Sequence, residues 1–593
     1  MALLVQKFGG TSVGNLERIY AIAKRIAIKH REGLDLVIVV SAMGDTTDEL
    51  MNMAYQIHPN PPSREIDMLL STGEQVSIAL LAIALDRLGI AAISMTGTQV
   101  GILTEATHGQ ARILKIQTER ILKHLEQDQV VIVAGFQGTT QSSNGFPEIT
   151  TLGRGGSDTS AVAIAAALNA DACEIYTDVI GILTTDPRAV ETAQLIKTIS
   201  CDEMLELASL GAAVLHPRAV EIARNYGVLL SVRSSWTLSP GTSLVGGYAK
   251  HMNNEGLEIG KSVDSAELIE NQAIVRICHL PDIVGITATL FEGLASANVS
   301  IDLIAQVNNS NRTVTISFTL ADQQLEKACS ICRRILNSLK AKDATVIREG
   351  EVSKLSISGV GITSRYGTLA RLFEVLAKNN INLRAIATSE VKVSCLIQNK
   401  EASKALKAVL HAFELSNCQL HESSSLDDIN GSKVKGVALD INQVQISILN
   451  VPNHSIVLAT ICRGLADAFI PIGSMVQLEY RIRSSSLYSR DIILILYQDD
   501  RIKARGILNE LLSPWPGVRL EEGSTISRVS AVGVGIRNTP GVAAKMFRSL
   551  SIAGINIQMI ATSEIRTSCM VDESDGLDAL QAVHSCFELG QIT

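Results

Sequence analysis

The sequence predicts an α/β protein in two parts: a mainly parallel sheet with helices on both faces, then four ferredoxin-like (βαββαβ) modules. Two observations carry that expectation. Up to about residue 235, short apolar runs of strand length alternate with longer helical runs. Beyond a turn-rich break, the C-terminal half repeats itself at a constant lag.

In the first part, buried strands are expected at residues 3–6, 36–40, 91–95, 130–134 and 174–177. Helices are expected at 16–31, 66–88, 111–125 and 158–168. Strand–helix alternation of this kind builds a sheet buried on both faces, and such sheets gather ligands at the carboxyl ends of their strands. Around 237–262, Ser239-Pro240-Gly241, Gly246-Gly247 and Asn253-Asn254-Glu255-Gly256 carry turn signals, so an irregular connection is expected there.

In the second part, Gly359-Val360-Gly361-Ile362 recurs as Gly533-Val534-Gly535-Ile536, and Ala387-Thr388-Ser389-Glu390 as Ala561-Thr562-Ser563-Glu564. Ile381-Asn382 recurs as Ile555-Asn556, and Ser394-Cys395 as Ser568-Cys569, each at a lag of 174 residues. A fainter repeat, at 171, links Pro281 to Pro452 and Gln306 to Gln477. The half is therefore a tandem duplication of a two-module unit. Strand, helix, two strands and a second helix follow one another at 352–360, 368–379, 381–389, 391–397 and 401–413. The expected domains are 1–245, a linker at 246–262, modules at 263–345 and 346–423, a polar connection at 424–436, and modules at 437–522 and 523–593.

Composition narrows the function. The net charge is −8 with no dense basic run, which argues against nucleic-acid binding. No signal peptide and no membrane-spanning stretch are read, and ten scattered cysteines suit a reducing, cytoplasmic compartment. Cys329 and Cys332 form a CxxC inside a helical pattern without a second pair, so a packed helix face is expected rather than a metal site.

Three clusters carry chemistry. Lys7-Phe8-Gly9-Gly10-Thr11-Ser12 follows a strand; its glycines let backbone amides approach phosphate and its lysine adds a point charge. Taken alone it is equally a strand–turn–helix joint. Gly153-Arg154-Gly155-Gly156-Ser157-Asp158 opens a helix, where anions are favoured and an arginine can grip a carboxylate. A capped helix explains Ser157 and Asp158 but leaves the arginine between glycines unexplained. Thr177-Asp178 and 181–188 form a polar loop after a strand, read singly as an ordinary connection. Neither a GxxxxGK[ST] loop nor the protein-kinase motif set is present.

Together with Ser41-Ala42-Met43-Gly44-Asp45-Thr46-Thr47, Ser71-Thr72-Gly73-Glu74 and Leu215-His216-Pro217-Arg218, these clusters resemble the aspartate kinase family, in its order and over essentially the whole chain. The resemblance implies ATP, carrying Mg²⁺, and L-aspartate as substrates, and 4-phospho-L-aspartate as product. It implies Lys7 at the transferring phosphoryl group, and Asp158 organising Lys7 and the metal-phosphate region, with Arg154 also catalytic. Ser41, Thr47, Glu74, Arg154 and Ser157 would hold aspartate, Glu74 at its α-amino group. Lys7, Gly9, Gly10, Thr177, Asp178, Gly181, Thr184, Asp186 and Arg188 would hold the nucleotide. The side-chain carboxylate of aspartate is already ionised, so no general base is required, and no dedicated protein metal site is expected. His216 is expected to be structural.

The four C-terminal modules resemble ACT domains. The resemblance implies amino-acid effectors, lysine and threonine first, and a homodimer through these modules. Asp282, Gln306, Asn382 and Thr388 match effector contacts, with repeats at Gln477, Asn556 and Thr562. As folded modules alone, Asn382 and Asn556 equally read as strand ends, and Gln306 and Gln477 as exposed. The second unit departs from the first: Asp302 corresponds to Gly473 and Tyr366 to Pro540, and the Asn308-Asn309 run is missing after Gln477. Two other readings are weighed: a related kinase for glutamate or carbamate, and an amino-acid sensor with a silent kinase domain. The first lacks support from the GRGGSD segment and the C-terminal modules; the second conflicts with intact Lys7, Glu74, Arg154 and Asp158. A fused homoserine dehydrogenase is excluded, since no GxGxxG unit follows the first module pair.

Overall fold

The computed structural model describes residues 2–141, 146–211, 214–247, 256–258, 262–309, 313–359, 361–362, 365–415, 434–452, 454–481, 488–536 and 539–590. The expected connection at 424–433 lies outside them. The chain divides into two compact units. The first comprises Met1–Leu183, Leu195–Ala208 and Ala212–Gly260; the second comprises Thr184–Gln194, Ser209–Gly211 and Lys261–Thr593.

The first unit contains twelve strands among the described residues. They are β1 (Leu3–Phe8), β2 (Asp35–Val40), β3 (Ala92–Met95), β4 (Ile102–Thr104), β5 (Ile113–Ile116) and β6 (Val130–Ala134), then β7 (Gln137–Gln141), β8 (Pro147–Thr151), β9 (Ala172–Thr177), β10 (Thr198–Ser200), β11 (Leu230–Ser234) and β12 (Thr242–Val245). Eight form one sheet in the order β10-β12-β11-β9-β1-β2-β6-β3, with β11–β12 its single antiparallel pair. The expected five strands are contiguous in it, from β9 to the edge strand β3.

Helix Leu16–Arg31 shows why the local prediction succeeds. The Asn15 side chain accepts the Arg18 amide, capping the first turn, and Ile19, Ile22, Ala23, Ile26 and Ala27 bury one stripe. Phe8 and Tyr176 stack at 4.8 Å across the core. Residues 111–125 correct a prediction: 113–116 form β5, and only Glu119–Leu125 is helical. The i, i+3 spacing of Ile113 and Ile116 reads as helical, and pairing with distant β4 overrides it. The small sheet β5-β4-β7-β8 went unread for the same reason. Helix Ser63–Asp86 is long and apolar enough to cross a membrane, but it packs within this unit and buries Asp67 and Glu74.

The second unit carries β13 (Ser265–Pro281), β14 (Ile304–Asn309), β15 (Thr313–Ala321), β16 (Thr345–Ser358), β17 (Ala385–Thr388) and β18 (Lys392–Gln398) from the first repeat. The second repeat gives β19 (Gly436–Pro452), β20 (Ser474–Arg481), β21 (Tyr488–Tyr497), β22 (Arg519–Val532), β23 (Met559–Thr562) and β24 (Arg566–Asp572). Each module keeps the expected helix–strand order, but the modules do not stay separate. All twelve strands join one sheet, β17-β18-β16-β13-β15-β14-β23-β24-β22-β19-β21-β20. The long strands are shared: residues 265–269 of β13 pair with 354–358 of β16, while 272–281 pair with β15. Asn271 and Glu351, both at positive φ, mark where these strands change module.

The two repeats pair with each other around a pseudo-twofold arrangement. First and fourth modules join through β14–β23, and the Thr562 hydroxyl accepts the Ile304 amide at 2.7 Å. Second and third modules join likewise where the sheet ends meet: Thr388 Oγ1 accepts the Met475 amide at 3.1 Å. Gln306 Nε2 donates to the Ile557 carbonyl at 2.8 Å, and its repeat Gln477 donates to that of Leu383 at 2.9 Å. The helix beside each junction pairs too: Phe291 meets Phe547 edge-on, and Arg463 meets Glu374 at 2.7 Å. Edge strands of the first and fourth modules are thus paired inside one chain.

Thr562→Val should lower unfolding stability of this unit by about 1–3 kcal/mol, because a near-isosteric side chain leaves the buried Ile304 amide unpaired. Denaturant melts followed by circular dichroism measure it, and Thr388→Val should behave alike.

Candidate active site

Lys7 lies at the carboxyl end of β1 and Asp158 in the first turn of helix Gly156–Leu168. Lys7 Nζ and Asp158 Oδ1 are 2.6 Å apart and largely buried. The acid at a helix N-terminus is favoured by the unpaired amides there, and it anchors the lysine head beside Gly9, whose missing side chain leaves room within 3.4 Å of Nζ.

The loop after β2 closes on this pair. The Ser41 amide donates to the Phe8 carbonyl at 3.1 Å, and the Gly44 amide to that of Gly10 at 3.1 Å. A Cβ on Gly10 would stand 2.9 Å from the Ala42 carbonyl oxygen, so the two loops approach only because residue 10 is glycine. Thr47 is half-buried in the first turn of helix Thr46–Ile57. Glu74 reaches the same loop from helix Ser63–Asp86: its Oε1 accepts the Ala42 amide at 3.1 Å. The side chain is 3% exposed, and Oε2 has no partner among the described residues. Burial therefore pushes its carboxyl up to about 7.

The glycine-rich loop packs on His216. Gly155, at φ +70°, lies so close that a Cβ would meet the imidazole ring at 2.4 Å. The ring Nδ1 accepts the Arg218 amide as the cap of helix Pro217–Tyr226, and burial lowers its pKa. His216 is the structural residue the sequence suggested. Ser157 is buried against Gly135 at the end of β6; Arg154 stands exposed on the loop and pairs with no described residue. Thr177 and Asp178 end β9, adjacent to β1, with a 3.1 Å hydrogen bond between their side chains. Gly181 fits tightly against Leu195 and Thr242.

Thr184, Asp186 and Arg188 pack with the second unit. The Thr184 hydroxyl is 2.9 Å from His584 Nε2, and Asp186 and Arg188 pair with each other at 2.7 Å.

Sequence reasoning missed the groups that hold the loops. Arg218 grips Glu258 through two nitrogens, at 2.8 and 2.9 Å, and donates to the Leu152 and Ala111 carbonyls. Fully buried Asp67 accepts from Gly109 and Thr151 and contacts His108 Nδ1 at 2.7 Å. Their signal was a charge inside an apolar helix for Asp67, and none for Glu258.

In the second unit, Asp282 and Gln306 of the first module come together with Asn556 of the fourth. They line a small pocket with Thr287, Ser551 and the first turn of helix Ile286–Ser296. Asn556 Nδ2 donates to Asp282 Oδ1 at 3.1 Å, and Thr287 Oγ1 to Gln306 Oε1 at 2.7 Å. A second pocket lies across the same junction, lined by Asp302, Pro540, Thr562, Ser563 and Thr567. Asn382, Thr388 and Gln477 lie at the second–third junction instead. Cys329 and Cys332 are buried thiols on one helix, and burial lifts Cys332 to about 12.

Residues 2–234 match the amino acid kinase family, and residues 355–413 and 529–587 match the ACT domain. The chain is 47% identical over 416 residues to an aspartokinase of Bacillus sp. (strain MGA3), covering 70% of this chain and 98% of the relative. It is 45% identical to aspartokinase 2 of Bacillus subtilis (strain 168), again over 416 residues, 70% of this chain and 98% of the relative. The solved aspartate kinase from Synechocystis matches 100% of this chain and 99% of its own, at 48% identity and a TM-score of 0.84. With relatives this similar covered almost end to end, and with its kinase and regulatory parts in their order, the chain belongs to the aspartate kinase family.

Proposed function

We propose that Glu74, Lys7 and Asp158 are the working centre of aspartate phosphorylation in this chain, and that the first–fourth module junction senses amino acids. The observation that carries the first part is the unpartnered Glu74 Oε2, buried within one loop's reach of a lysine–aspartate pair. A buried anion without a partner suits a ligand that brings a cation, here the α-ammonium of aspartate. Arg154, free of described partners and on a mobile-length side chain, suits a carboxylate through its fork of donors; Ser41, Thr47 and Ser157 complete the aspartate pocket.

The reaction joins two anions. A side-chain carboxylate oxygen of aspartate attacks the γ-phosphorus of ATP; the new P–O bond forms as the bond to the β,γ-bridging oxygen breaks, giving an acyl phosphate and ADP. No proton needs to move, which fits a centre with a neutral, structural His216. Lys7 neutralises charge on the transferring group, and Asp158 fixes its position. Gly9 and Gly10 leave backbone amides open to phosphate, and Thr177, Asp178 and Gly181 extend the nucleotide site. No group of three acidic, histidine or cysteine side chains poised for a metal occurs among the described residues. Magnesium would enter with ATP and supply positive charge at its phosphates, with Asp158 the carboxylate that would organise that region.

For regulation, the Asp282 carboxylate suits an effector's ammonium, and the Gln306 and Asn556 amides suit its remaining polar groups. Lysine and threonine are the proposed effectors, the enzyme acting in the cytosol. A homodimer is proposed through surfaces of the regulatory half other than the edges joined within the chain; its mass in solution tests that.

Aspartate-dependent ADP release with ATP and Mg²⁺ tests the centre. Lys7→Ala should lower kcat by at least about a hundredfold, with effector binding retained; equal turnover in the variant would refute the assignment. Glu74→Gln should raise KM for aspartate far more than for ATP. The same change should stabilise the free protein in alkali: folded Glu74 titrates near 7, well above an exposed carboxylate. Between those two values the folded state holds the extra proton, so rising pH costs the wild type stability, on the order of 3 kcal/mol once both states are ionised. Thermal melts should therefore separate variant from wild type at pH 8.5 and bring them together near pH 5.

A further inference from the structure

Resting on the effector reading above, we propose that amino-acid sensing is confined to the first–fourth module junction, and that the second–third junction is closed by the chain's own side chains, Arg490 on one side and Tyr366 with Phe469 on the other.

The two junctions can be compared position by position through the strand pairing. In the first repeat Leu280 faces Val314, and in the second Val451 faces Arg490, so Arg490 takes the place of Val314. Val314 lines the cavity that holds Asp282, Gln306 and Asn556. Arg490 is 0% exposed, and one of its guanidinium nitrogens lies 3.4 Å from Gln477 Oε1. In the first module that acceptor, on Gln306, is served by the Thr287 hydroxyl; the matching residue 171 positions on is Leu458, buried and apolar. The second–third junction thus replaces a small side chain with a long cation and loses a hydroxyl. An amino acid entering there would bring its ammonium against a buried guanidinium, a like-charge contact without solvent to screen it. Ser455 Oγ meanwhile donates to the Ile381 carbonyl and lies 3.4 Å from Asn382 Oδ1, so Asn382 has a local partner where Asn556 faces Asp282.

The other cavity tells the same story independently. At the first–fourth junction, Asp302 Oδ1 and Ser563 Oγ are buried without hydrogen-bond partners. Their counterparts are Gly473, with no side chain, and Ser389, whose hydroxyl bonds the backbone of Lys392. Thr567 becomes Val393 and Pro540 becomes Tyr366, whose ring meets Phe469 edge-on at 5.5 Å. Polar groups that await a ligand at one junction are absent or internally bonded at the other.

Equilibrium dialysis of the full chain with labelled L-lysine and L-threonine decides the matter, comparing wild type with Asp282→Ala, Asn382→Ala and Ser455→Ala. Asp282→Ala should weaken binding by about tenfold or more. Asn382→Ala and Ser455→Ala, two mild changes in the closed junction, should leave the number of bound equivalents and their affinity within twofold of wild type. An equivalent lost from either of these and kept by Asp282→Ala would overturn the inference while leaving effector sensing intact. A wild type that binds neither amino acid would overturn the effector reading and the inference with it.

Discussion

A single buried carboxylate sets the terms for the catalytic unit. Glu74 sits in an apolar helix with one oxygen bonded to a backbone amide and the other to nothing described. Holding a carboxylate there is unfavourable, and the surrounding fold must over-determine its position. Helix Ser63–Asp86 is pinned along its length for that purpose. Asp67, two turns earlier, locks it to Gly109 and Thr151, and Gly73 lets it press against Ala42. The loop that receives Glu74 is itself locked to the Gly9-Gly10 turn. The Glu74 carboxylate and the Gly9-Gly10 turn are thereby tied to one backbone framework.

Much of this was legible in the sequence, for identifiable reasons. The central strands and helix Leu16–Arg31 declared themselves through local periodicity and capping. Lys7, Gly10, Glu74 and Asp158 stood in short motifs whose glycines mark close backbone approach. What could not be read depends on distant partners. Strand β5 resembles a helix until β4 is beside it, and Glu258 is unremarkable until Arg218 grips it. Likewise the 174-residue lag revealed four modules but not that they share strands. Asn271 and Glu351, where β13 and β16 pass between modules, carry no distinctive local signal.

The regulatory half follows from an edge problem. An isolated module of this type exposes a strand whose backbone groups invite a partner. Here each repeat supplies the partner for the other, so the sensing surface forms at an effective concentration set by the chain itself and is indifferent to dilution. The segment Thr184–Gln194 travels with this half, held by Thr184 on His584 and by the Ala189 carbonyl, which accepts from Gln581.

Tandem linkage also changes what mutation can do. Where two identical chains meet about a twofold axis, every substitution is written twice, and neither copy of a site can drift without the other. Joining the two halves in one polypeptide removes that constraint. Val314 and Arg490 occupy matching places in the same molecule and differ in size and charge. Duplication here yields two heritable surfaces rather than one surface displayed twice.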